Sequence, residues 1–194
     1  MNLLIILIRW KEGSTINIDD IMETSNHFKC FNYIINKTNY LLSEKFIKDL
    51  HKMLKENISD SKKEWFAIGD YKKLKNEVGG KITAKPTEVS SQIKELLDNY
   101  NKIDKMTFED IIAFHYNFEI IHPFQDGNGR IGRLIMFKEC LKHNIVPFII
   151  QDKLKEFYYR GLAKWKGEQK YLIDTCLSAQ DDFKKYLEYF GLKY

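Results

Sequence analysis

The chain has 194 residues, of which 44% are hydrophobic and 30% charged, and a formal net charge of +4. This length and composition are typical of a folded domain with a substantial core, and they exclude a disordered chain. The positive charge is too mild to favour nucleic-acid binding as the main function.

Three cysteines, Cys30, Cys140 and Cys176, are odd in number and widely spaced. This pattern favours reduced core thiols in a cytoplasmic protein over a disulfide framework or a zinc site. The apolar run at residues 3–8 is far shorter than the roughly 20 residues that span a bilayer. We therefore expect it to be a packed first helix or strand, and we expect no membrane partner.

The first third of the chain predicts two helices. Asn17 or Ser14 is expected to cap the first, which carries Ile21 and Phe28 and runs to about Leu42. Ser43 is expected to cap the second. Its apolar residues recur at the spacing of a buried helical stripe: Phe46, Ile47, Leu50, Met53 and Leu54.

Residues 57–85 are polar and end in the run Val78, Gly79, Gly80 and Lys81. Two glycines between residues that can be extended predict a short β-hairpin. Further helices are expected from Pro86, over 108–121, from about Arg130, from Asp152, and over 171–190. No repeat or linker divides the chain, so residues 1–194 are expected to form a single all-α bundle with one small hairpin.

The segment 108–121 predicts a buried helix, with Thr107 and Asp110 as a capping pair. Pro123 cannot continue that helix, and Gly127 and Gly129 permit backbone conformations that other residues avoid. The chain must therefore turn, and the renewed helical periodicity after the turn places residues 126–129 at the amino end of a second helix.

The amino end of a helix favours an anion such as phosphate. Arg130 and Arg133 are neighbours on one helical face, where two guanidiniums repel unless a multiply charged anion lies between them. Asp126 is suited to hold Mg²⁺ on a polyphosphate. His122, whose ordinary pKa is about 6.5, can accept a proton near neutral pH.

At these residues the chain resembles the Fic-domain family, whose signature is H-x-F-x-D/E-G-N-G-R-x-x-R. All eight specified positions match: His122, Phe124, Asp126, Gly127, Asn128, Gly129, Arg130 and Arg133. The resemblance extends from Glu12 to about Ile173. It implies a Fic-like helical bundle with a β-hairpin flap, and the transfer of AMP from ATP to a Ser, Thr or Tyr hydroxyl of a protein target or of the chain itself.

The resemblance also implies a role for each residue. His122 is the catalytic base, and Asp126 holds Mg²⁺ between the phosphates of ATP. Asn128 and the N–H groups of residues 127–130 stabilise phosphate charge, while Arg130 and Arg133 clamp the outer phosphates. Tyr158 lies against the adenine, near Lys166, which stands where some relatives have Asn. The flap formed by Val78, Gly79, Gly80 and Lys81 aligns the target by main-chain pairing.

Residues 1–20 resemble the inhibitory segment that one subclass of the family carries ahead of the domain. Glu12 takes the place of a glutamate that pairs with the second signature arginine and excludes the γ-phosphate. The Ser or Thr expected four residues earlier is Ile8, which departs from the pattern. Members of the family often form homo-oligomers, but no apolar stripe identifies an interface here.

Alternatives remain at this point. The same site could remove AMP, with Glu12 positioning water, or transfer another nucleotide. A phosphate-transferring variant of the family has lysine at the position of Gly129, which argues against it here. A metal hydrolase using His115, His122 and Asp126 would leave the two arginines unexplained, and His115 is expected to be a core residue. A non-catalytic helical adaptor or a nucleic-acid binder would not need His122.

Overall fold

The computed structural model describes residues 17–194, and this part of the chain contains seven α-helices and one two-stranded sheet. The helices are α1 (Ile18–Asn36), α2 (Glu44–Lys55), α3 (Pro86–Tyr100), α4 (Phe108–Ile121), α5 (Asn128–Lys142), α6 (Lys155–Lys164) and α7 (Lys170–Tyr189). The predicted all-α bundle with a small hairpin is confirmed. The run at residues 3–8 and Glu12 lie outside the described residues, and the single-domain organisation of residues 1–194 stays a prediction.

Local side-chain chemistry fixes several helix starts. The Ser43 hydroxyl accepts the N–H of Phe46 at 3.2 Å, and Asn17 caps α1 in the same way through the N–H of Asp19. Thr107 and Asp110 form a reciprocal capping box at the start of α4. These caps satisfy amide groups that a helix leaves unpaired, so the predicted starts are confirmed.

Helix α1 ends at Asn36, earlier than the predicted end near Leu42. The Thr38 hydroxyl donates to the carbonyl of Ile35 at 2.7 Å and thereby satisfies one of the last carbonyls of the helix. A turn follows over residues 37–40, because Asn and Thr there compete with helical hydrogen bonds.

The predicted hairpin is also confirmed. Strands β1 (Glu77–Val78) and β2 (Lys81–Ile82) are antiparallel, with Val78 opposite Lys81. Gly79 and Gly80 form the turn with φ of 57° and 73°, in the left-handed region that glycine adopts without strain. All four strand residues are exposed.

Two groups of buried apolar side chains hold the bundle together, and α4 and α5 contribute to both. Phe114 and Phe118 of α4 belong to the group that also includes α1, α2 and α3. Ile111 and Ile112 face the other group, which includes α6 and α7. The connection between α4 and α5 is thus anchored at both ends by the core.

The three cysteines are free and buried, as predicted. Among residues 17–194, no helix combines the length and the apolar character needed to cross a bilayer.

Candidate active site

The signature loop, residues 122–127, joins α4 to α5 and begins with a histidine in an unusual backbone conformation. His122 follows the last residue of α4 with φ of 52° and ψ of 63°, and its N–H donates to the carbonyl of Phe118 at 2.9 Å. Residues with a Cβ rarely adopt this left-handed conformation, which here turns the chain sharply out of the helix. Such strain is characteristic of functional positions.

The environment of His122 keeps its imidazole neutral at physiological pH. Burial lowers the pKa of His122 to about 4, and the nearby charge of Lys72 acts in the same direction. The ring atom Nδ1 lies 3.3 Å from the carbonyl oxygen of Glu119. A neutral ring that donates its Nδ1–H to this carbonyl carries a free lone pair on Nε2, which is the form a general base needs.

Phe124 and Asn128 hold the interior of the signature loop. The Asn128 side chain accepts the N–H of Phe124 and donates to its carbonyl, both at 2.8 Å. Phe124 is fully buried, and its ring stacks on that of His51 in α2. The Asn128 amide is therefore committed to the loop, and its backbone N–H is the group left for an anion.

Gly127 brings the loop close to α2 at the start of α5. Its φ is 84°, and a Cβ there would lie 3.2 Å from Leu54 Cδ2 and 3.3 Å from Lys55 Cε. Only glycine fits both the conformation and the space. The first turn of α5 begins directly after this residue, and the anion site expected at its N–H groups stays a prediction.

Four charged side chains form a cluster beside this turn: Glu23, Lys55, Asp126 and Arg130. Lys55 is fully buried, and its ammonium donates to Glu23 at 2.6 Å and also to Asp126 Oδ2. Arg130 pairs with Glu23 and donates to Asp126 Oδ2 at 3.2 Å. The four-charge cluster is neutral overall, and it fixes both Asp126 and the first signature arginine.

Asp126 is compatible with the predicted Mg²⁺. Burial acts to raise its pKa, but hydrogen bonding and charge from Lys55 outweigh this effect and leave the pKa lowered, so the carboxylate is ionised. Its side chain is 55% exposed, and both contacts within the cluster use Oδ2. Mg²⁺ is commonly bound by one or two carboxylates together with substrate phosphates. No larger group of metal-binding side chains occurs among residues 17–194.

Arg133 differs from Arg130 in its surroundings. Among the described residues, no carboxylate lies within ion-pair distance of its guanidinium. The guanidinium lies close to Gly129, where an added Cβ would be 3.1 Å from Nη1 of Arg133. The guanidinium thus folds back along α5 towards the first turn of that helix. Both arginines also line a cavity of about 470 Å³ between α1 and α5, with Glu23 and His27 on the opposite wall.

The segment before the flap is tied directly to the signature loop. The N–H of Lys72 donates to the carbonyl of Pro123 at 2.8 Å, and Asn76 donates to the carbonyl of Phe124 at 3.0 Å. The buried ammonium of Lys72 donates to Asn76, to Thr83 and to the carbonyl of Ile121, at 2.7, 2.6 and 3.3 Å. The hairpin and the signature loop are therefore fixed to one another.

The residues expected near the adenine are less closely grouped. Tyr158 is only 2% exposed, and its hydroxyl lies 2.6 Å from Nε2 of His115. The next ring, Tyr159, is 54% exposed, and Lys166 is also exposed. His115 is buried, as expected for a core residue, whereas contacts of Tyr158 and Lys166 with a base stay predictions.

Sequence reasoning did not identify Glu23, His51, Lys55 or Lys72 as site residues. The sequence contains a signal for two of these residues, His51 and Lys55. His51 and Lys55 continue the buried face of α2 that Ile47 begins, at steps of four residues. A lysine on the apolar face of a helix requires a partner, because an unpaired buried charge is costly.

Comparison with known proteins agrees with this geometry. Residues 41–140 match the family model described as Fic/DOC family, which is more than half of the chain. The chain therefore belongs to the Fic/DOC family, as the signature predicted.

Relatives of similar sequence include two animal proteins. The chain is 31% identical over 88 residues to "Protein adenylyltransferase fic-1" of Caenorhabditis elegans, a match covering 44% of this chain and 17% of that protein. It is 26% identical over 129 residues to "Protein adenylyltransferase Fic" of Aedes aegypti, a match covering 65% of this chain and 25% of that one. The chain thus matches a quarter or less of the length of these relatives.

Solved structures share the fold. A Fic domain containing signaling protein from Bacteroides thetaiotaomicron superposes with a TM-score of 0.75 at 23% identity, covering 92% of this chain and 74% of that one. Fic-1 from C. elegans superposes with a TM-score of 0.71 at 18% identity, covering 94% and 55% of the two chains. At these identities the likeness concerns the fold.

Proposed function

We propose that the chain is a nucleotidyltransferase that moves AMP from ATP to a Ser, Thr or Tyr hydroxyl of a target protein or of itself. The observation that carries the proposal is His122. A neutral imidazole, strained into a left-handed turn, begins the short loop that leads into the first turn of α5. The relatives named protein adenylyltransferase support the same activity.

In the proposed reaction, Nε2 of His122 takes the proton from the incoming hydroxyl. The hydroxyl oxygen then forms a bond to the α-phosphorus, the bond from that phosphorus to the bridging oxygen breaks, and pyrophosphate leaves. The N–H groups of residues 127–130 stabilise the charge that grows on the phosphate oxygens, a contribution of about 3 kcal/mol per donor in comparable sites.

Charged side chains hold the rest of the nucleotide. Asp126 would bind Mg²⁺, which supplies charge neutralisation between the phosphates. Arg130 and Arg133 clamp the outer phosphates, and the ring of Tyr158, with its exposed neighbour Tyr159, would lie against the base.

The hairpin would align the target. Val78 and Lys81 are exposed, and their strands leave outer edges that can pair with an extended segment. The bonds between Lys72, Asn76 and the signature loop support this role, because they would place a hydroxyl on the paired segment at a fixed distance from His122.

We further propose that Glu12 inhibits the enzyme by pairing with Arg133 and displacing the γ-phosphate. Glu12 lies five positions before Asn17, so the chain from one to the other spans at most about 18 Å. Helix α1 lines the cavity that also exposes Arg133, and both arginines lower the pKa of His27 on its wall, after the larger effect of burial. A carboxylate that reached Arg133 would gain an ion pair that this guanidinium lacks among the described residues.

We place the protein in the cytoplasm, because three buried free cysteines suit a reducing compartment.

Intact-mass measurement tests the function. Wild type, Glu12→Gly and Glu12→Gly combined with His122→Ala are incubated with ATP and Mg²⁺. Addition of one AMP mass to the Glu12→Gly protein, absent when His122 is also replaced, is the expected result. Addition of the mass of one phosphate would indicate transfer of the γ-phosphate, as in a kinase. A Glu12→Gly protein that is no more active than wild type would show that Glu12 does not inhibit the enzyme. A wild type that binds no nucleotide would favour an adaptor.

A further inference from the structure

Helices α4 and α6 meet in a buried polar contact that the proposed reaction does not use. The Tyr158 hydroxyl lies 2.6 Å from Nε2 of His115, and both residues are buried. Burial lowers the pKa of His115 to about 3 and raises that of Tyr158, so both groups are neutral at physiological pH. A single short hydrogen bond joins Nε2 of His115 to the Tyr158 hydroxyl.

This pair reaches the site through Arg133. The guanidinium carbon lies 5.9 Å from the centre of the Tyr158 ring, within the range of a cation–π contact. The charge of the guanidinium acts to lower the pKa of Tyr158, against the larger effect of burial. With Gly129 on its other side, the guanidinium is confined between the tyrosine ring and the first turn of α5.

Gly132 shows how closely these groups pack. A Cβ on Gly132 would lie 2.7 Å from Nδ1 of His115 and 2.8 Å from Oε1 of Glu119. Both of those atoms are buried without a hydrogen-bond partner among the described residues. Burial raises the pKa of Glu119 to about 7, which reduces the negative charge that it presents to Arg133.

The two signature arginines are therefore held in opposite ways. Arg130 is neutralised in advance by Glu23 and Asp126, whereas Arg133 is oriented by neutral groups. A carboxylate partner would compete with an incoming anion for the guanidinium. A tyrosine hydroxyl and ring can fix its direction without cancelling its charge.

We propose that Tyr158 and His115 are positioning residues for Arg133. Tyr158 holds the guanidinium over the first turn of α5, directed at the outer phosphates of ATP, and His115 fixes the Tyr158 hydroxyl. The inference rests on the proposed function, because it assigns Arg133 to those phosphates. The Tyr158 hydroxyl then contributes to the preference for a triphosphate over a monophosphate, and its removal leaves the binding of AMP unchanged.

Calorimetric titration with ATP and with AMP tests this, in the His122→Ala protein so that ATP is not consumed. Tyr158→Phe keeps the ring and removes the hydroxyl. Loss of the hydrogen bond with His115, which fixes the ring beside Arg133, predicts about three- to ten-fold weaker ATP binding with AMP binding unchanged. Tyr116→Phe, another buried tyrosine of the same core group, is the matched control and should change neither affinity.

A double-mutant cycle separates positioning from a general structural effect. In an Arg133→Ala background, Tyr158→Phe should cause no further loss of ATP affinity, because the group that it orients is gone. Equal weakening of ATP and AMP by Tyr158→Phe, or an undiminished loss in the Arg133→Ala background, would overturn the inference. Absence of any nucleotide binding before these substitutions would instead overturn the proposed function, and the inference with it.

Discussion

The imidazole of His51 and the phenyl ring of Phe124 stack face to face, with centroids 3.9 Å apart and planes 6° apart. This contact joins α2 to the signature loop. Nδ1 of His51 also accepts the N–H of Gly69 at 3.0 Å, so the same histidine reaches the segment that leads to the flap. His51 thereby braces the loop that presents His122.

Replacement of His51 should change how stability depends on pH. Burial lowers the pKa of His51 to about 3, with a smaller contribution from the charge of Lys55. Because the folded-state pKa lies below the unfolded value of about 6.5, its contribution to stability is present above pH 6.5 and is lost as pH falls towards 3. In His51→Asn, whose amide oxygen can replace Nδ1, the slope of unfolding free energy against pH should fall by about 1.4 kcal/mol per unit.

Urea unfolding between pH 5 and 7.5 measures this slope. Glu119 acts with the opposite sign, since its raised pKa of about 7 gives stability that is lost as pH rises. The difference between wild type and variant is therefore the informative quantity. Identical slopes in the two proteins would show that His51 does not carry the pH dependence.

Alanine substitutions at Gly127 and Gly79 should differ in cost although both residues have positive φ. A Cβ on Gly127 would crowd Leu54 and Lys55, whereas nothing lies within 4 Å of one on Gly79. We expect Gly127→Ala to lose about 2–3 kcal/mol of unfolding free energy and to weaken ATP binding. Gly79→Ala should lose about 1 kcal/mol and leave ATP affinity unchanged. Equal losses, measured by urea unfolding and calorimetry, would contradict the crowding at Gly127.

Lys72→Met should raise the pKa of His122. The Lys72 ammonium lowers that pKa, after the larger effect of burial, so its removal should move the value upward by up to about one unit. The substitution also leaves the carbonyl of Ile121 without the Lys72 donor, which should destabilise the fold by about 1–3 kcal/mol. NMR titration of the His122 ring protons follows the pKa directly.

Lys73→Met is the control for Lys72→Met. Lys73 is exposed and donates to the carbonyl of Glu64, so its loss should leave the titration of His122 unchanged. A His122 pKa that is the same in all three proteins would rule out electrostatic coupling between Lys72 and the base.

Helix starts and the signature loop were predictable because their determinants are local. Ser43, Thr107 with Asp110, and Pro86 each act on amides within three residues, and the loop is encoded by consecutive positions. The predicted end of α1 was wrong by about six residues. Ile35 and Leu42 are seven positions apart, which is a helical spacing, whereas the Thr38 hydroxyl ends the helix. The spacing of apolar residues does not show where a side-chain hydroxyl competes with backbone N–H groups for the helix carbonyls.

The partners of the site residues were not predictable in the same way. Asp126 meets Lys55 from 71 positions away, and Arg130 meets Glu23 from 107 positions away. Nothing local distinguishes Glu23 from other acidic residues of α1. Only the packing of α1 and α2 against α5 brings these charges together.

The four-charge cluster has a consequence for proteolysis. A cut in the exposed turn over residues 37–40 that released α1 would remove Glu23 while leaving every signature residue intact. Arg130 and the buried ammonium of Lys55 would lose their shared counter-ion, and the ammonium would be left to Asp126 alone. Such a clipped protein should retain its other helices and its signature, yet bind nucleotide differently from the whole chain.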